Sequence, residues 1–204
     1  MQTPLPDDLR REVESLIEQF GTPIIRDVAV GTRAFWQRQT QSRTSEVCMV
    51  VRRPNGRLLI AAKTFYPPGA YRLMTGGVES GERVLDALLR ETYEETGLEV
   101  VVRRLLAIVA YRPEDAAPSD DGTPRYVTFS FLLDEIGGTL GATDPNERLA
   151  AYREIEPAEL PALANHLDQL PDAYDEILAD NWQVWGRFRA VIHRVVWDAL
   201  NTDG

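Results

Sequence analysis

Residues 76–98 read GGVESGERVLDALLRETYEETGL. Two glycines open the stretch, a helical pattern fills it and a cluster of carboxylates ends it. From about Glu82 to Thr96 the apolar positions are Val84, Leu85, Leu88, Leu89 and, more weakly, Thr92, a spacing that lays one stripe of a helix against a core. Gly97 follows as a residue suited to a left-handed C-cap. The stretch predicts a glycine turn, then one amphipathic helix, held between the strands described below.

The carboxylates decide the chemistry. Glu91 and Glu95 are i and i+4 and lie one above the other, while Glu94 sits beside them at i+3. Like charges at this spacing cost a helix about 0.2–0.5 kcal/mol per pair, and acidic groups near its C-terminus also oppose the dipole. Their edge adjoins the apolar stripe near Val84 and Leu88, so the carboxylates are expected to be partly buried. Unpaired charges in that setting are costly unless a cation meets them. A hard divalent ion is the natural partner, because Mg²⁺ takes a few carboxylates, keeps waters and uses substrate phosphates as further ligands. Arg90 adjoins Glu91 and has Glu94 at i+4, so it is placed to orient either carboxylate.

Gly76, Glu82 and the run Arg90-Glu91-Thr92-Tyr93-Glu94-Glu95-Thr96-Gly97-Leu98 resemble the Nudix box, the signature of the Nudix hydrolases. Thr92 departs from it, standing where a larger aliphatic residue is usual. Met74-Thr75 departs too, where many relatives have Pro-Gly or Pro-Ala. The resemblance implies an α/β fold, an α/β/α sandwich with a mixed β-sheet. It also implies a Mg²⁺- or Mn²⁺-dependent hydrolase that cleaves the diphosphate linkage of a nucleoside diphosphate joined to another moiety. Carried over, Glu91 and Glu95 are the main metal ligands, Glu94 joins directly or through water, and the Thr75 carbonyl is a further ligand. Arg90 orients Glu91, and Glu82 supports the glycine loop or an outer metal shell. Gly76 and Gly77 let the backbone turn sharply and approach metal and phosphates. The general base is Glu91 itself or a glutamate outside the box. For the latter Glu147, in TDPNER, is chosen, with Glu114, Asp115 and Asp121 as competitors.

Outward from this segment the chain orders itself. Leu9, Val13, Leu16, Ile17 and Phe20 give a helix over 7–20, ended by Gly21-Thr22-Pro23. Residues 24–40 read as extended. SEVCMVVRR (45–53) and RLLIAAKTFY (57–66) flank Pro54-Asn55-Gly56 and predict a hairpin. Residues 66–74 form a loop, 99–112 and 125–135 are strands, Gly137-Gly138 turns the chain, and 144–155 ends as a short strand. Residues 156–167 are helix-like but interrupted by prolines. In 181–200, Trp182, Trp185, Phe188, Ile192, Val195, Val196 and Ala199 fall on one helical side, which reads as core or a subunit interface. The expected division is an N-terminal helical extension (1–23), a Nudix domain (24–167) and a C-terminal helical extension (168–204) packing on the domain or a partner subunit.

Composition bounds the partners. The 204 residues are 44% hydrophobic and 26% charged, with 32 acidic against 22 basic residues and a net charge of −10. That balance disfavours nucleic acid and anionic membranes. The single cysteine, Cys48, sits in an apolar run as a core residue and points to a reducing, cytoplasmic location. No apolar run is long enough to span a membrane and no leader is visible. A nucleoside-diphosphate small molecule is the expected substrate. Arg72, Trp36, Tyr111 and Tyr126 are candidates to hold a phosphate or stack on a base, and each is equally readable as packing. Pro113 lies past the box where some ADP-ribose-cleaving relatives have a proline, a weak pointer. His166 and His193 read as structural. The terminal helices suggest a homodimer. The alternative to an enzyme is a Nudix-fold sensor that binds such a ligand without turnover; no helix-turn-helix or basic segment accompanies the box, and the enzyme is preferred.

Overall fold

A computed structural model describes residues 7–41, 43–116 and 126–202. Strands β1 (Ile24–Ala29), β2 (Ser45–Arg52), β3 (Leu58–Lys63), β4 (Met74–Gly77), β5 (Leu98–Arg112), β6 (Tyr126–Gly138) and β7 (Leu149–Ile155) form one mixed sheet. Its order is β1-β5-β6-β2-β3-β7, with β4 also paired to β2. β1 runs parallel to β5 and β2 parallel to β6; the other pairs are antiparallel. β2 is the branch point. Its last residue, Arg52, pairs with Leu58 across the Pro54-Asn55-Gly56 turn, while Glu46–Met49 pair with β4. β3 then leaves to join β7, and β4 fills the opening.

Alternation along β2 assigns the two faces. Val47, Met49 and Val51 pack with Val13 and Leu16 of α1 (Asp7–Phe20) and with Val84 and Leu88 of α3 (Val84–Thr96). Cys48 and Val50 pack on the other face with Phe35 and Trp36 of α2 (Arg33–Gln39), Leu160 of α4 (Leu160–Asp168) and Phe188 and Ile192 of α5 (Trp182–Asn201). Helices therefore cover both faces of a mixed sheet, an α/β/α sandwich. A short hairpin, β8 (Tyr174–Asp175) and β9 (Asp180–Asn181), joins α4 to α5. No helix among the described residues is long and apolar enough to cross a membrane.

Four local expectations are corrected. Residues 33–39 are helix, not strand: Thr32 caps the N-terminus by accepting from Phe35 N, and no β-branched residue follows until Thr40. Leu89 is 43% exposed, whereas Val84, Ala87, Leu88, Glu91, Thr92 and Glu95 are buried. The inward stripe of α3 thus runs straight into its glutamates. Gly137 and Gly138 end β6, paired with Glu99 and Leu98, and the turn comes after them. Gly76 and Gly77 lie inside β4 rather than in a turn.

Trp36, Tyr111 and Tyr126 are core. Trp36 donates from Nε1 to Val30 O at 2.7 Å and stacks on Tyr111 with centroids 5.5 Å apart. All three are nearly inaccessible, which removes them as base platforms. Cys48 is buried, and burial pushes its thiol up to about 12. His193 is buried and pushed down to about 3 by burial. Its Nε2 accepts from Leu73 N, so Nδ1 carries the proton donated to Arg189 O.

Candidate active site

The site is built outward from α3. α3 carries Glu91 and Glu95, with its first turn capped from outside: Val84 N donates to the Glu12 carboxylate of α1 at 2.7 Å. At its other end Gly97 takes φ 64, and a Cβ there would meet the carbonyls of Thr139 and Gly141 at 2.7 and 2.8 Å. That closeness lets the next loop satisfy the carbonyls that end α3. Gly141 N donates to Thr96 O, Thr143 N to Glu94 O and Thr143 Oγ1 to Tyr93 O. The loop then makes a 3-10 turn at Pro145–Glu147, capped by Asp144. Glu147 arrives beside α3 by this route.

Carboxylate oxygens of Glu91, Glu95 and Glu147 lie within 4.8 Å of one another. Glu95 is 1% exposed, and neither of its oxygens has a hydrogen-bond partner. Burial pushes Glu95 up to about 7, against the attraction of Lys63 and Arg72. Burial likewise raises Glu91, with Arg90 opposing. Glu147 goes the other way: burial alone would raise it, but the hydrogen bond from Lys63 and other attractions outweigh that and hold it below the usual range. Lys63 of β3 spans the pair, with Nζ 2.8 Å from Glu147 Oε2 and 3.3 Å from Glu95 Oε1. Three converging carboxylates, two of them buried and met by the single ammonium of Lys63 and by Arg90, form the hard-oxygen set that a divalent cation takes. The residues fit such an ion.

Arg90 anchors the other side. Its Nε and Nη2 donate to the two Glu82 oxygens at 2.8 and 2.9 Å, Nη2 also to Gly77 O, and Nη1 to both Glu91 and Glu94 at 3.0 Å. The hydrogen bonds from Arg90 hold Glu82 below the usual carboxylate range. Glu94 is therefore turned to Arg90, and its carboxylate is outside the converging set. Gly76 has a specific reason to be glycine: a Cβ there would lie 2.1 Å from Glu91 Cγ and Cδ. At Gly77 a Cβ would meet only the flexible end of Arg43. The hydroxyl of Thr75, buried in β4, accepts from Arg72 Nη1, and Arg72 also donates to Tyr66 Oη and Leu73 O.

These groups border one cavity of about 280 Å³. Glu91, Glu95, Glu147 and Thr75 line one part of it, Arg43, Arg72 and Arg189 another, and Phe65, Tyr66, Ile177, Leu178 and Trp185 supply apolar surface. A larger cavity, about 560 Å³, lies between α1 and the Glu79–Val84 segment, without Glu91, Glu95 or Glu147 among its lining residues. Glu114 pairs with Arg187 and Asp115 accepts from Arg33 N, so neither joins the carboxylates; Asp121 lies outside the described residues. Lys63, Arg43, Arg189 and its partner Glu46 went unread in the sequence, and Trp185 was read as core or subunit interface. A lone Lys ending a strand and a Glu opening one carry no periodic signal.

A family model described as NUDIX domain matches residues 42–179. An ADP-ribose pyrophosphatase from Methanocaldococcus jannaschii is 33% identical over 131 residues, 64% of this chain and 68% of that protein. An 8-oxo-dGDP phosphatase NUDT18 from Danio rerio is 33% identical over 107 residues, 52% of this chain but 30% of that protein. A crystal structure of a UDP-X diphosphatase superposes with a TM-score of 0.51 at 16% identity, covering 97% of this chain and 81% of that one, a likeness of fold alone. The match across most of the chain, on a sandwich that brings the box glutamates together, makes this protein a member of the NUDIX family of pyrophosphohydrolases.

Proposed function

We propose that the chain is a Mg²⁺- or Mn²⁺-dependent hydrolase of the diphosphate linkage in a nucleoside diphosphate joined to another moiety, with ADP-ribose the first substrate to try. The buried Glu95 carboxylate, without a hydrogen bond among the described residues beyond its 3.3 Å approach to Lys63 and beside Glu91 and Glu147, carries this reading. ADP-ribose is suggested by the name of the Methanocaldococcus jannaschii relative. In this reading Glu91 and Glu95 hold the ion, with the Thr75 carbonyl as a further ligand. A bound divalent ion neutralises the diphosphate and acidifies water. Arg90 fixes the Glu91 rotamer and ties it to the Gly77 carbonyl, and Glu94 acts through Arg90. Arg72, Gly76 and Gly77 border the substrate.

Glu147 is proposed as the general base. It is supported by its place on a loop rather than on the helix, with its carboxylate beside those of Glu91 and Glu95. Changing Glu147 to Gln should lower kcat by about 10²–10⁴-fold while Mn²⁺ affinity stays within a few-fold. An equal loss of Mn²⁺ affinity would make it a ligand instead.

Residues 24–167 are taken as the catalytic domain, with 1–23 and 168–204 as helical extensions, the latter lining the cavity. α1 and α5 turn apolar faces onto the chain's own sheet, so the expected homodimer is a question for light scattering at micromolar protein. A cytoplasmic location fits the single buried cysteine. The deciding assay screens nucleoside-diphosphate substrates with Mg²⁺ and with EDTA, using Glu94→Gln and Glu95→Gln. Metal-dependent turnover that collapses in Glu95→Gln supports the reading. Full activity in both variants refutes the metal assignment, and no turnover by wild type leaves a binding module.

A further inference from the structure

Arg189 lies on α5, far in sequence from the carboxylate helix, yet it lines the same cavity. It is 6% exposed, and its guanidinium sits 4.4 Å from the Phe188 ring centroid. Its counter-ion is Glu46 of β2, 1% exposed, whose Cα partner across the sheet is Gly77. Glu46 is fully engaged: it accepts from Arg189 Nη1 at 2.7 and 2.9 Å, from Thr128 Oγ1 at 2.9 Å and from Tyr126 Oη at 3.3 Å.

The pairing is lopsided. Both bonds to Glu46 leave from Nη1, so the Nε–Nη2 edge of the guanidinium is not used by it. Nε is buried with no hydrogen-bond partner among the described residues. An arginine meant only to neutralise Glu46 would be expected to offer it two parallel N–H groups. Here the fork that matches two oxygens of a phosphate or carboxylate is left over, on a residue of the cavity wall. The other cavity cations are engaged: Lys63 with Glu147 and Glu95, Arg72 with Tyr66, Leu73 and Thr75, and Arg43 with the Tyr126 hydroxyl and the charge of Glu46.

We propose that Arg189 is a substrate-binding residue whose Nε–Nη2 edge takes the phosphate on the far side of the scissile linkage from the carboxylate triad. Glu46 is its positioning residue. The inference rests on the hydrolase reading for which phosphate is attacked, while the anion subsite is testable without catalysis. In this arrangement α5 is part of the active site, and the aromatic Trp185, one turn before Arg189, borders the group that phosphate carries.

The test is calorimetric titration of adenosine monophosphate into metal-free protein in EDTA, with adenosine as the uncharged control. Two variants guard against misfolding. Arg189→Lys keeps a charge for Glu46 but lacks the fork, and the double change Glu46→Gln with Arg189→Met removes both charges. Wild type is expected to bind the monophosphate at least tenfold more tightly than adenosine, and both variants to lose that tenfold while binding Mn²⁺ as wild type does. With ADP-ribose as substrate the same variants should raise KM at least tenfold and change kcat far less. Equal monophosphate affinity in the variants, no binding by wild type at millimolar ligand, or a parallel loss of Mn²⁺ affinity overturns the proposal. If wild type hydrolyses nothing, the hydrolase reading fails and the monophosphate titration still decides this one.

Discussion

Glu95 is costly to keep charged where it stands. Its folded pKa, raised to about 7 from 4.5, means that between these pH values the metal-free folded protein holds a proton there that the unfolded chain has released. Stability from this group is complete below pH 4.5 and is lost as pH rises through 7, by up to roughly 3 kcal/mol. Glu95→Gln should therefore melt higher than wild type in EDTA at pH 8 and equally at pH 4.5; parallel curves would contradict this. His193 has the opposite sign. Its folded pKa, lowered to about 3 from 6.5, leaves full stability above pH 6.5 and removes it as pH falls, by at most about 1.4 kcal/mol per pH unit. Urea midpoints of wild type and His193→Gln across pH 4–7 should show a steeper acid loss in wild type. Gly76→Ala is the third residue-scale prediction. With Glu91 displaced by a Cβ, turnover should fall by about 10²-fold, while Gly77→Ala is milder because Arg43 can swing away.

At the scale of elements, α3 is legible because its signals are local: an apolar period, a glycine stop and carboxylates at i, i+3 and i+4. The loop after β6 is not, because Glu147 reaches the site only through hydrogen bonds to carbonyls at the end of α3. The choice of Glu147 came from family resemblance, and the sequence offers no physical reason for the loop's path. α2 was misread as strand because partial alternation in 24–30 was carried past Gly31-Thr32, a left-handed glycine and a helix cap. Gly97→Ala tests the α3–loop junction. It should destabilise the protein by at least about 1–2 kcal/mol, since φ 64 and two carbonyls oppose a Cβ. It should also lower kcat through Glu147. An unchanged urea midpoint would sever the link between cap and site.

At the scale of the whole molecule, the sheet divides the labour. β2 sends alternate residues to opposite layers: Val47, Met49 and Val51 support α3, while Glu46 holds Arg189 of α5. The carboxylate side of the cavity was readable from one contiguous segment. Its cationic and aromatic side comes from β3, the loop before β4, and α5, and contacts between residues as distant as Glu46 and Arg189 leave no trace in local pattern. The central claim is that Glu91 and Glu95 hold a divalent ion, with Glu147 beside it as the base. Anomalous diffraction from crystals soaked in Mn²⁺ tests it directly. The account predicts a peak among these three carboxylates that vanishes in Glu95→Gln. A peak elsewhere, or one that persists at full height in the variant, would contradict it.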